Sequence, residues 1–159
     1  MENRLEILRR EIDKLIIEKQ ADEIQYFIAH LYGVSGFCAL LALRRNLNVE
    51  IAATCGMLHD IYQITDGTSE KHAEKGAEKA KQVLQALGLY SDGEIETITT
   101  AISKHNKKLQ LHDPYCELLK DADVMHHFLY NRDFPVKEQE KDRYNNILAE
   151  LGVSGQWLL

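Results

Sequence analysis

Ala52-Ala-Thr-Cys-Gly-Met-Leu-His59-Asp60-Ile-Tyr62 is a run of small and apolar residues that ends in an adjacent histidine and carboxylate. It reads as a short apolar helix delivering two ligand-type side chains at its end. Neighbours on a helix point about 100° apart, so His59 and Asp60 can hold one metal ion from two sides or touch two ions. Such a pair needs partners, and His30, His72, His105 and Asp123 offer them, each on the apolar face of a separate helical segment or at its edge. A lone His-Asp pair carries little weight, because a single histidine is commonly a hydrogen-bonded core or surface residue. The joint pattern carries the reading.

The segment from Asp22 to Arg45 places Ile24, Phe27, Leu31, Val34, Phe37, Cys38 and Leu41 on one side, with His30 among them. Gly33, Gly36 and Ala39 follow His30 and predict a closely packed second backbone. The helix should end near Asn46, with Asn48 capping the next helix from Val49. From His30 to Asn46 the helix climbs about 24 Å, and from Val49 to His59 the return descends about 15 Å, which brings the two histidines toward one level. A second hairpin repeats the geometry. Thr68 and Ser69 are candidate caps for a helix from about Glu70 to Leu87, striped by Ala73, Ala77, Ala80, Leu84 and Leu87 and stopped by Gly88. Ser91-Asp-Gly-Glu94 has the capping-box form and opens a return helix with Ile95, Ile98, Ile102 and His105 in register, so His72 and His105 can meet.

The flanks are also helical. Leu5, Leu8, Ile12, Leu15 and Ile16 recur at three- and four-residue steps between Arg4 and Lys19. Asp113 caps a helix with Pro114 at its first position, running to about Asn131 and packing through Leu118, Leu119, Ala122, Met125 and Leu129. Asp123 lies beside that stripe, whereas Asp121 should point elsewhere. Asp133-Phe-Pro135 interrupts, and Tyr144, Ile147, Leu148 and Leu151 mark a last helix ending at Gly152. The tail Ser154-Gly-Gln-Trp-Leu-Leu packs back or contacts a second subunit, and the sequence leaves both open. The expectation is an all-α bundle of about six or seven helices, one domain over 1–159 with its core at about 22–131.

The chain has 159 residues, a net charge of -6 and a pI near 5.6, a balance that argues against nucleic-acid polymers or anionic membranes as partners. Cys38, Cys55 and Cys116 are widely spaced and form no CxxC pair, as free buried thiols of a reducing compartment do. The charged amino terminus lacks a signal-peptide core, and no apolar run is read as approaching a membrane span, so a cytoplasmic location is expected.

The order His30, His59-Asp60, His72, His105, Asp123 resembles the HD superfamily of metal-dependent phosphohydrolases, over about Tyr26 to Tyr130. The resemblance implies an HD-domain bundle whose first metal is held by His30, His59, Asp60 and Asp123. The closing motif Leu118-Leu-Lys-Asp-Ala-Asp123-Val-Met-His-His looks like the family's Ala-Asp-x-Leu form and selects Asp123. His72-Ala-Glu-Lys-Gly76-Ala77 and Ala101-Ile-Ser-Lys-His105 look like the extra elements of relatives that cleave diadenosine tetraphosphate or cyclic dinucleotides, and imply a second metal on Asp60, His72 and His105. Those relatives commonly continue the doublet as His-Asp-Ile-x-Lys, where this chain has Gln63.

Imidazoles with carboxylates suit iron, manganese, cobalt, zinc or nickel rather than calcium or magnesium alone. Two divalent ions against two carboxylates leave about +2 locally, which attracts phosphate. The implied function is hydrolysis of a small phosphorylated substrate, a nucleotide expected, by metal-activated water attacking phosphorus, with His59 and Asp60 at the reacting centre. Lys104, Lys107 and Lys108 are candidates to meet further phosphates. Arg44 and Arg45 are explained by the helix macrodipole. His112, His126 and His127 are assigned supporting roles, His126 being best placed one turn after Asp123. Two alternatives use the same residues: a di-iron oxygenase, and a non-catalytic nucleotide-sensing module. A homodimer is compatible with either flank.

Overall fold

The expected apolar stripes become helices in the computed structural model, which describes residues 3–18, 24–67, 70–130 and 135–154. In chain order these are α1 (Arg4–Glu18), α2 (Ile24–Arg44), α3 (Val49–Leu58), α4 (Ile61–Asp66), α5 (His72–Leu87), α6 (Asp92–Lys104), α7 (Pro114–Tyr130), a 3-10 turn (Glu138–Glu140) and α8 (Lys141–Glu150). There is no strand among the described residues. The chain is all-α.

The α2–α3 hairpin is the most extensive helix pair, and α2 also packs on α7. Asn46 takes a left-handed φ of 55°, and the Asn48 side chain accepts from the Glu50 and Ile51 amides, so the hairpin turns where expected. The close backbone approach, however, is made by Gly56 of α3. A Cβ there would stand 2.5 Å from Ser35 Cα, and the Ser35 hydroxyl donates to the Ala53 carbonyl at 2.9 Å. The glycines of α2 serve otherwise: Gly36 faces open space, and Gly33 lies under the ring of His126.

α5 and α6 form the second hairpin. Gly88 is left-handed at φ 63° and donates its amide to the Leu84 carbonyl, and the Ser91–Glu94 capping box is complete. Lys71 occupies the N-cap position of α5 with no side-chain cap; the expected caps Thr68 and Ser69 lie outside the described residues. Arg4 joins α1 to both hairpins, meeting Glu94 at 2.8 Å and Glu50 at 2.6 Å. The Asp113 carboxylate caps α7 through the Tyr115 and Cys116 amides. Residues 131–134, part of the expected interruption, and 155–159 of the tail lie outside the described residues.

Gln25–Arg44 within α2 does have the length and hydropathy of a membrane span, contrary to the reading that no run approaches one. Its apolarity has a local reason: Leu31, Val34, Cys38, Leu41 and Ala42 are buried in the common core, together with residues of α1, α3, α6, α7 and α8. Burial accounts for part of that apolarity, since Leu40 and Leu43 of the same helix remain exposed.

Candidate metal centre

The doublet sits at a break in the helix. His59 follows α3 in right-handed helical geometry, but Asp60 turns to φ -111° and ψ 15°, and α4 restarts at Ile61. The two side chains are thereby released from regular helical spacing and converge, with His59 Nε2 3.4 Å from Asp60 Oδ2.

The other predicted residues arrive from α2, α5, α6 and α7. His30 Nε2 is 3.0 Å from His59 Nε2, 3.5 Å from Asp60 Oδ2 and 3.5 Å from Asp123 Oδ1. On the other side, His105 Nε2 is 3.4 Å from Asp60 Oδ1, and the ligand-type atoms of Asp60, His72 and His105 all lie within 4.8 Å of one another. The Asp60 carboxylate therefore offers one oxygen to each of two imidazole groups. Gln63, the departure noted in the sequence, donates its amide to Asp60 Oδ1 at 2.7 Å and steadies the carboxylate from α4.

Hydrogen bonds leave the ring nitrogens suited to coordination. His59 Nδ1 donates to the Gly56 carbonyl at 2.8 Å and His105 Nδ1 to the Ile102 carbonyl at 2.7 Å, which leaves each Nε2 as a lone pair facing the centre. Burial, opposed by Asp60 and Asp123 but reinforced by His30 and His105, pushes His59 down to about 4, so it is neutral at pH 7. Burial opposes the charge on Asp123, but the Lys108 ammonium first, then His59 and His127, hold its carboxyl far below the usual range. Asp60 behaves likewise, its burial outweighed by His59, His105 and His30. Neutral imidazole beside ionised carboxylate is the protonation state that a divalent cation binds.

One atom tests the fit directly. Asp123 Oδ1 is buried, accepts no hydrogen bond, and faces His30 and His59. Burying a carboxylate oxygen unpartnered is costly, and a cation among these donors would satisfy it. The residues present fit a divalent metal.

The centre floors a cavity of about 430 Å³ lined by Gln63, Asn106, Lys107, Lys108, Gln110, Lys137 and Gln139 among others. Lys108 Nζ lies 2.5 Å from Asp123 Oδ2. Lys104, the last residue of α6, is not among the lining residues. The lysine-bearing loop is tied down from beneath. Arg143 donates to the Lys108 carbonyl at 2.8 Å, and the fully buried Lys120 donates to the Gln110 carbonyl at 2.7 Å while meeting Glu117 at 2.6 Å. Asp121, expected to point away, pairs with Arg45 at 2.6 Å and with Arg143. Arg45 is thus an ion-pair anchor, reaching Glu150 at 2.7 Å as well, rather than a charge set only for the helix dipole.

Two histidines outside the predicted ligand set enter the site. His126 is buried with its Nδ1 3.0 Å from His30 Nδ1. His127 stacks on His30 at 4.7 Å between ring centroids, with Nδ1 3.6 Å from Asp123 Oδ1. His30, Asp123 and His127 form a third ligand-type group. The signal for His127 was its position one helical turn after Asp123, the same spacing argument that favoured His126.

The family model described as HD domain matches residues 27–127, and its span contains every member of the pattern from His30 to Asp123. The chain belongs to the HD domain family. That family is of metal-dependent phosphohydrolase type, which accords with the histidine and aspartate groups assembled in this HD domain. Among solved structures, the chain is similar to a predicted HD superfamily hydrolase from an uncultured Thermotogales bacterium. The TM-score is 0.61 at 23% identity, with 95% of this chain and 96% of that chain covered. At that identity the likeness speaks for the fold.

Proposed function

We propose that this HD domain hydrolyses a small phosphorylated compound, a nucleotide, at a two-metal centre. The observation that carries the reading is the Asp60 carboxylate, whose Oδ2 faces His30 and His59 while Oδ1 faces His105, beneath a lysine-lined cavity. His30, His59, Asp60 and Asp123 would hold the first ion, and Asp60, His72 and His105 the second. Bound divalent metal, with iron, manganese, cobalt, zinc and nickel all compatible, supplies Lewis acidity toward a phosphoryl oxygen and lowers the pKa of attacking water.

The chain's own residues do the rest. Lys107 and Lys137 draw the phosphoryl oxygens to the cavity floor, and Lys108 keeps Asp123 oriented while standing at the same wall. Gln63 holds the Asp60 carboxylate against rotation. An apolar hollow of about 230 Å³, lined by Tyr26, Val124, Phe128, Pro135 and Val136, adjoins the cavity through His127, Lys137 and Glu140. It suits one flat ring system beside one phosphate group, which favours a mononucleotide over a dinucleotide.

The test is phosphate release from a panel of mono-, di- and dinucleoside phosphates by protein loaded anaerobically with iron or manganese, beside Asp60→Ala. Turnover of a mononucleotide that vanishes in the variant is expected. Metal binding without release of phosphate from any substrate would refute the reading, and oxygen uptake by the iron-loaded protein would then assign the centre to oxidative chemistry.

A further inference from the structure

His30 is set differently from the other two buried histidines of the centre. His59 and His105 stand at the C-terminal ends of α3 and α6, where a carbonyl three residues back accepts each Nδ1–H. His30 lies in the first half of α2, where the backbone carbonyls are engaged along the helix, and its Nδ1 faces the Nδ1 of His126 from α7 instead. Two ring nitrogens 3.0 Å apart need a proton or a shared cation between them, and this pair, which lies away from both carboxylates, takes the proton. His126 also donates to the Ala29 carbonyl. With Nδ1 turned to His30, the nitrogen left for that bond is Nε2, so Nδ1 of His126 is the acceptor and His30 carries the proton on Nδ1. The Nε2 lone pair of His30 is then aimed at Asp60, Asp123 and the Nε2 lone pair of His59 3.0 Å away, a contact that a cation shared by the two rings, rather than a proton, would satisfy.

The His126 ring reaches this position by setting its Cδ2–Nε2 edge against α2 at Gly33. An ideal Cβ on Gly33 would stand 2.1 Å from its Cδ2 and 2.2 Å from its Nε2. Any side chain at residue 33 displaces the ring. We propose that His126 is a positioning residue that fixes the coordinating tautomer and orientation of His30, and that Gly33 is the clearance it requires. The proposal rests on the metal-centre reading, since it concerns how firmly one ligand of that centre is held. It assigns work to two residues that neither touch the substrate cavity nor belong to the ligand set.

Such partners of a metal-bound histidine are commonly worth about 10- to 100-fold in metal affinity. The experiment is calorimetric titration of the chelator-stripped full chain with Co(II), with visible absorption of the bound ion recorded in parallel and thermal unfolding measured without metal. His126→Phe keeps a ring over Gly33 but removes the acceptor. His126→Asn places an amide oxygen near the position of Nδ1. Gly33→Ala retains every imidazole but pushes the ring away. The expected result is a loss of at least about tenfold in Co(II) affinity for His126→Phe and Gly33→Ala, a smaller loss for His126→Asn, and a changed Co(II) spectrum in the first two. A fall in unfolding temperature alone, with affinity and spectrum unchanged, would mean that the ring is only packing and would overturn the proposal. So would an Asn variant as impaired as Phe. Wild-type protein that takes up no Co(II) would overturn the metal-centre reading and the proposal together, an outcome distinct from normal uptake by wild type and variants alike.

Discussion

Acidifying the metal-free protein from about pH 7.5 to about pH 5 should destabilise it strongly, and the centre is the reason. His59 is fully buried and its pKa is pushed down to about 4, and burial places His126 at about 4 as well. The unfolded chain protonates these rings near the ordinary histidine value of about 6.5, so between about 6.5 and about 4 the unfolded state binds protons that the folded state refuses. Stability is therefore full above that window and is lost as pH falls through it. For one ring with these two values the loss by pH 5 is about 2 kcal/mol. The two rings are linked through His30, so together they account for about 2–4 kcal/mol, or roughly 5–15 °C in unfolding temperature for a chain of this size. Asp60 and Asp123 do not confuse the measurement, because their carboxyls are held below the ordinary range and their contribution is lost only at more acid pH. The assay is thermal unfolding by circular dichroism in chelator across the pH series, with His59→Asn as a control whose slope should be shallower. A midpoint that stays level or rises toward pH 5 would refute the argument.

Three further outcomes are expected. Gly56→Ala should cost about 2–3 kcal/mol in denaturant unfolding, because its methyl meets the Ser35 backbone rather than a movable side chain. Asp60→Asn should reduce bound Co(II) or Mn(II) from two ions to at most one per chain by elemental analysis, since one carboxylate serves both imidazole groups. Lys108→Met should destabilise the metal-free protein by about 3 kcal/mol by leaving the Asp123 carboxylate buried without its ammonium partner, and added metal should recover a larger share of stability than in wild type. Equal metal stabilisation of the two proteins, by thermal shift, would count against that account.

Most of the helical framework was legible because local signals agreed with the tertiary outcome. Asn48, Gly88, the Ser91–Glu94 box and Asp113 each act through backbone groups a few residues away, so their chemistry can be read without a neighbour in view. The convergence of His30, His59, Asp60, His72, His105 and Asp123 was legible through helix length and the family pattern together. What escaped was set by contacts between elements distant in sequence. Nothing local distinguishes Gly33, cleared for a ring 93 residues on, from Gly36, which meets nothing. Arg45 looked like a helix-terminal charge because its partners Asp121 and Glu150 belong to other helices. His127 was passed over because its neighbour His126 had the same claim by spacing, and only the packing of α7 on α2 places both against His30.

The break at the doublet explains how adjacent residues acquire different duties. On an uninterrupted helix His59 and Asp60 would diverge by about 100°, and a carboxylate so placed would face one neighbour. Here the chain leaves helical geometry at Asp60 for a single residue and resumes as α4, whose Gln63 then reaches back to the carboxylate at 2.7 Å. Gly76 brings α5 close against the bend, where a Cβ would stand 3.2 Å from the His59 carbonyl. The bend, the close α5 packing and the Gln63 bond together turn one Asp60 oxygen toward His30 and His59 and the other toward His105. Backbone irregularity of one residue is thus what lets five helices share a single carboxylate, and it ties the geometry of both imidazole groups to the same short turn.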